Sequence, residues 1–123
     1  MRYITDRKRA EGLGAGRKGT EHHWKMLVSS ILMVVLMPLL IITFGCALGR
    51  SYEGVLAYFA RPVPAIIMAL GLIVGLNHIK MEIEEAVEDY IGGTARKLTL
   101  IAASAVVYTM MAAGLFALAK LAL

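Results

Sequence analysis

Residues 62–90 read PVPAIIMALGLIVGLNHIKMEIEEAVEDY. The part from Val63 to Ile79 carries no charged side chain. As a helix it rises about 26 Å, close to the roughly 30 Å hydrocarbon thickness of a bilayer. At Lys80 the character changes, and Glu82, Glu84, Glu85, Glu88 and Asp89 follow. Working outward, Met26 to Leu48 is almost entirely apolar up to Gly49-Arg50, and Leu98 to Leu123 is broken only by Lys120, whose ammonium can snorkel to the interface. The whole chain agrees: 123 residues, 59% hydrophobic, 18% charged, mean hydropathy +0.69, where a soluble domain carries about 25% charge. The expected fold is an all-α membrane protein with three transmembrane helices over 26–48, 62–82 with a helical extension to 90, and 98–122. A polar, basic segment, residues 1–25, precedes a three-helix domain over 26–123. Three spans can form one wall of a cofactor site but hardly enclose a large cofactor and a substrate, so a protein partner is expected.

The basic residues predict the orientation. Arg2, Arg7, Lys8, Arg9, Arg17, Lys18 and Lys25 precede the first span, and Lys80, Arg96 and Lys97 lie between the second and third. Only Arg50, Arg61 and Lys120 fall on the other side, and this asymmetry places the N-terminus in the cytoplasm. The net charge of +4 is mostly this topological bias and requires no nucleic acid. Tyr52, Tyr58 and Phe59 read as interfacial anchors on a short amphipathic segment between Ser51 and Ala60.

Several motifs reduce to ordinary readings. Gly14-Ala15-Gly16-Arg17-Lys18-Gly19 spells a dinucleotide fingerprint, but no buried strand precedes it, so it reads as a flexible lead-in to the first span. Cys46, the single cysteine, has no intramolecular disulfide partner and reads as a buried, inert residue. Adjacent His22 and His23 do not share a helical face and no Cys or His recurs at a metal spacing, which argues against zinc. Contacts with a partner at headgroup level, or anchoring by Trp24, fit better. Glu84 and Glu88 read as a solvated helical extension. Pro38 is expected to loosen the first span locally. In the third span the small residues Ala102, Ala103, Ala105, Ala112, Ala113 and Gly114 read as packing surface.

His78 carries more information, because an ionisable side chain in a span is costly unless it faces protein or water. On a helix, Gly71, Val74, Gly75, His78, Glu82, Glu85 and Asp89 fall within about 60° of one direction. The two glycines clear space one and two turns before His78, as either a flat macrocycle or a closely packed helix would require. A neutral imidazole there can ligate haem iron or hydrogen-bond a neighbouring helix. Asp89-Tyr90 would stand about 16 Å further along the helix, near the headgroups. A tyrosine hydroxyl beside a carboxylate can donate to a quinone carbonyl, although interfacial tyrosines commonly serve as anchors.

Together these elements resemble the hydrophobic membrane anchor subunits of succinate dehydrogenase, respiratory complex II. The resemblance is carried by Gly16, Arg17, Gly19, Thr20, Glu21 and His22, then Trp24, three spans, and His78 followed eleven and twelve residues later by Asp89-Tyr90. It covers nearly the whole chain. It implies a heterodimeric helical bundle with a three-span cytochrome b subunit, holding an iron–sulfur and a flavoprotein subunit on the membrane. It also implies a b-type haem with one axial histidine from each anchor, His78 here, and a ubiquinone site near the cytoplasmic end with Tyr90 and Asp89. On this reading the chain is non-catalytic alone and serves electron transfer from succinate to quinone. It would lie in a bacterial inner membrane or, alternatively, a mitochondrial one. One departure is that Lys25-Met26-Leu27-Val28 has no arginine where many relatives carry one, so no propionate ligand is assigned. A holin-like pore-former and a structural or proton-path subunit of another respiratory complex remain rival readings. A pore-former would not need Gly71, Gly75, His78 and Asp89 on one face, and in the other rival His78 would belong to a proton path.

Overall fold

A computed structural model describes residues 3–12 and 18–123, so Gly14 to Arg17 of the glycine-rich stretch lie outside the described residues. Among those described, the secondary structure is helical: α1 Asp6–Glu11, α2 Lys18–Ala47, α3 Tyr52–Phe59, α4 Pro62–Tyr90 and α5 Gly93–Ala122. Three of them, α2 from Thr20, α4 and α5, are long and apolar enough to cross a membrane. The chain is a multi-pass, all-α membrane protein.

Local sequence explains the ends of these helices. Ser51 accepts a hydrogen bond from the Gly54 amide at 3.1 Å and opens α3. Pro62 opens α4 at a position where its missing N–H costs nothing. Gly93 has φ +66, a conformation open to glycine, and turns the chain from α4 into α5. Pro38 does not break α2, which is one helix from Lys18 to Ala47.

The central element is α4, whose backbone runs close to those of both α2 and α5, whereas no close backbone contact joins α2 to α5. The three backbones form an open layer about α4, and side chains of all three spans, among them Ser29, Asn77 and Tyr108, line one cavity. On α2 the covered positions are Met26, Ser29, Met33, Leu36, Leu40, Thr43 and Ala47, alternating steps of three and four. That is a heptad stripe, the signature of a shallow, left-handed helix crossing. Its partner surface on α4 is shaped by glycine. A Cβ on Gly71 would fall on the Leu40 isobutyl group, and Gly75 lies under the Met33 methyl at 3.8 Å from where its own Cβ would stand. On the other side, a Cβ on Gly114 of α5 would meet Leu72 at 3.0 Å. In lipid, where apolar burial drives little helix association, such close approach is the main source of attraction.

Beyond the far end of α2, α3 lies across the layer. The anchor assignment for Tyr58 and Phe59 is corrected: they are only 8% and 5% exposed and pack with Ala47, Val55, Met68, Leu118 and Leu121. They occupy the inward side of the amphipathic segment, which leaves Tyr52 exposed. The Tyr58 hydroxyl donates to the Thr43 carbonyl at 2.9 Å, and Arg50 Nε donates to the Cys46 carbonyl at 2.7 Å. The Cys46 carbonyl lies in the last turn of α2, where intrahelical donors run out, and the Tyr58 contact ties α3 to the turn before it. Cys46 itself is exposed, contrary to the buried reading, because it lies off the heptad stripe.

Gly71→Val is therefore expected to destabilise the α2–α4 pair by about 1–3 kcal/mol through overpacking, whereas Gly75→Ala should be nearly neutral. Thermal unfolding of the detergent-solubilised protein measures both.

Candidate functional site

Where α4 emerges from its apolar run, several polar groups face α2. Ser29 Oγ and His78 Nδ1 are 2.8 Å apart, and His78 Nε2 lies 3.2 Å from Glu82 Oε1 one turn along the same helix. The imidazole side chain is 15% exposed. Two turns further, His22 Nε2 approaches Glu85 Oε1 at 3.3 Å, within ion-pair range. That nitrogen is buried and has no hydrogen-bond partner of adequate geometry, so the contact is electrostatic.

Hydrogen-bonding roles follow from chemistry. An ionised carboxylate only accepts, so Nε2 carries the proton that faces Glu82. In the neutral ring Nδ1 is then an acceptor, and the Ser29 hydroxyl donates to it. The intramembrane imidazole is in this way satisfied on both sides, as an apolar surrounding demands.

The glycine face that the sequence left open between a macrocycle and a helix is filled by a helix: Gly71 and Gly75 meet Leu40 and Met33. One acidic side chain departs from expectation. Glu84 is not a freely solvated residue, since its Oε1 accepts from Lys80 Nζ at 2.7 Å and its side chain is only 23% exposed. The Lys80 ammonium also lies 5.5 Å above the Tyr108 ring, which ties this pair to α5. Glu88 is exposed, as read.

Asp89 and Tyr90 form the last turn of the same unbroken helix as His78, and Tyr90 is 88% exposed. The structure keeps them apart from the imidazole, on one rigid rod. Their backbone is pinned by a residue that the sequence did not single out. Arg96 Nε donates to the Ile91 carbonyl at 2.8 Å and Arg96 Nη2 to the Glu88 carbonyl at 2.9 Å, bracketing the pair. A cation is favoured there because helix C-terminal carbonyls carry partial negative charge. Ser29 was likewise missed, because a serine in a span is ordinarily bonded to its own backbone, as Ser30 is to the Met26 carbonyl at 2.8 Å. Among the described residues no cluster of three or more His, Cys, Asp or Glu side chains could hold a metal ion by itself.

A small three-span membrane subunit with a hydrogen-bonded histidine inside the layer and an exposed Asp-Tyr pair at a helix end defines the class. Residues 1–117 match the profile of the succinate dehydrogenase/fumarate reductase transmembrane subunits, and the chain belongs to that family. It is 46% identical over 123 residues, all of this chain and 95% of the relative, to the succinate dehydrogenase hydrophobic membrane anchor subunit of Paracoccus denitrificans. A second protein of that description, from Rickettsia bellii, is 27% identical over 96 residues, covering 77% of this chain and 76% of the relative. No solved structure gives a significant match. Membership of this family sets aside the pore-forming reading.

Arg96→Gln is expected to free the Glu88 and Ile91 carbonyls. Amide exchange over residues 88–93 should accelerate by about tenfold, the equivalent of one charge-assisted hydrogen bond, with helical content unchanged.

Proposed function

We propose that this membrane anchor subunit of succinate dehydrogenase contributes one axial ligand to a shared haem b and part of the ubiquinone site. The observation that supports the reading best is that His78 and Asp89-Tyr90 stand on one unbroken helix about 16–18 Å apart, with the acidic pair at its polar end. A histidine inside the layer and a tyrosine at the surface fit an electron relay that ends at a lipid-soluble acceptor.

The donor set at His78 suits a haem ligand. An axial ligand must present an unprotonated nitrogen, and Nε2 faces only Glu82, whose side chain is 60% exposed and can turn away into the headgroups. The imidazole is neutral when it ligates, so no net charge is buried with it. His78 fits as one ligand, and a second is left to the cytochrome b subunit. Haem held there would supply a one-electron relay. At the other end of α4, the Tyr90 hydroxyl donates to a quinone carbonyl and Asp89 holds or passes a proton. The cytochrome b subunit completes the bundle, and the iron–sulfur and flavoprotein subunits dock on the side where α4 ends. The excess of Lys and Arg supports a cytoplasmic N-terminus in a bacterial inner membrane. The chain has no reaction of its own when isolated.

In the assembled complex, His78→Ala should remove or markedly shift the b-type absorption on reduction, and an unaltered spectrum would rule out the ligand role. Tyr90→Phe removes one hydroxyl and should lower succinate–quinone reductase activity by roughly 2–10-fold. Reduction of an artificial acceptor by the soluble subunits should stay at the native rate, and equal losses in both assays would point instead to failed assembly.

A further inference from the structure

We propose that Ser29 is a positioning residue for His78, selecting through its hydroxyl which imidazole nitrogen is free to bind iron; the inference rests on the haem-ligand reading above. Four observations carry it. Ser29 is only 7% exposed, and its hydroxyl reaches across from α2 to Nδ1 on α4 at 2.8 Å. Its neighbour Ser30 takes the ordinary course for a serine in an apolar helix and bonds the carbonyl four residues back. The distance between the helices at this level is set by the contacts next along the seam, Met33 over Gly75 and Leu40 over Gly71, so the hydroxyl is held in place rather than free to seek water. Finally, the other ring nitrogen is engaged by the more exposed of the two partners, Glu82.

The chemistry of a hydroxyl makes this arrangement more than a structural tie. With Nε2 facing Glu82, the ring holds its proton on Nε2, and Ser29 donates to Nδ1. With Nε2 bound to iron, the proton must sit on Nδ1, and the acceptor it then needs is the same Ser29 oxygen. A hydroxyl both donates and accepts, so Ser29 serves either tautomer by rotating one bond, with no movement of α2. Alanine serves neither tautomer. A partner that accepts from the Nδ1 proton fixes the orientation of a ligating imidazole and makes it a stronger donor to the metal, which favours the oxidised iron. Glu82 and iron thus compete for Nε2, while Ser29 holds Nδ1 in both states.

The test uses the purified four-subunit complex carrying Ser29→Ala, Ser29→Thr and Ser29→Cys, with His78→Ala as a reference. Ser29→Ala should keep a b-type spectrum, raise the haem midpoint potential, shift the low-spin EPR g values, and speed haem loss to an added apo-globin by about tenfold. Ser29→Thr, which keeps the hydroxyl, should restore all of these. Ser29→Cys, similar in volume but a poor hydrogen-bonder, should fall between, and it carries the test if the alanine variant does not assemble. Native potential, g values and haem-loss rate in the alanine variant, or in the cysteine variant in its place, would overturn the positioning role. A native spectrum in His78→Ala would overturn the ligand reading on which it rests, and the two failures are told apart by which substitution is silent.

Discussion

The near-contact of α2 with α4 at Gly71 is the constraint on which the rest of the molecule depends, with Gly75 one turn on packed under Met33. In a hydrocarbon surround, helices do not gain by hiding leucine from lipid, and they associate where backbones can come close. The glycines permit that on α4, and the heptad stripe of α2 supplies the side chains that fill the seam. Once the seam closes, Ser29 is delivered to His78 at hydrogen-bonding distance, and His22 is brought beside Glu85. The polar contacts near the end of the span are set by packing that lies deeper in it.

The same seam divides labour along α4. Its buried half is committed to helix packing and to an imidazole with both nitrogens occupied. Its last turn is exposed and fixed by Arg96 from the following helix. A rod with a held histidine at one level and an open tyrosine at another keeps the two side chains apart without any intervening domain. The layered arrangement leaves much apolar surface on all three spans open to other helices or lipid.

Much of this was legible in the sequence, and the remainder was hidden for a physical reason. The three spans stand out because a run of uncharged residues of membrane length admits few other structures. His78, Glu82 and Glu85 were placed on one face because helical geometry leaves no freedom there. Which face of α2 is covered could not be read from hydropathy, since that helix is apolar all round and lipid and protein are alike to a leucine. The stripe shows only in hindsight, through the small or polar Ser29, Thr43 and Ala47, spaced fourteen and four residues apart. Tyr58 and Phe59 were misread for a related reason: aromatics suit both an interface and a small core, and only the course of α3 across the layer decides between them. Arg96 and Ser29 act on atoms distant in sequence or on backbone carbonyls, and neither kind of contact leaves a spacing motif.

No close backbone contact joins α5 to α2, and the Ser29–His78 contact is made by side chains of the first two spans alone. Both of its partners precede the third span in the chain. The histidine can be presented to a partner while α5 is still being synthesised. The order of the helices along the chain thus allows pairing of the first two spans and completion of the fold to proceed as separate events in time.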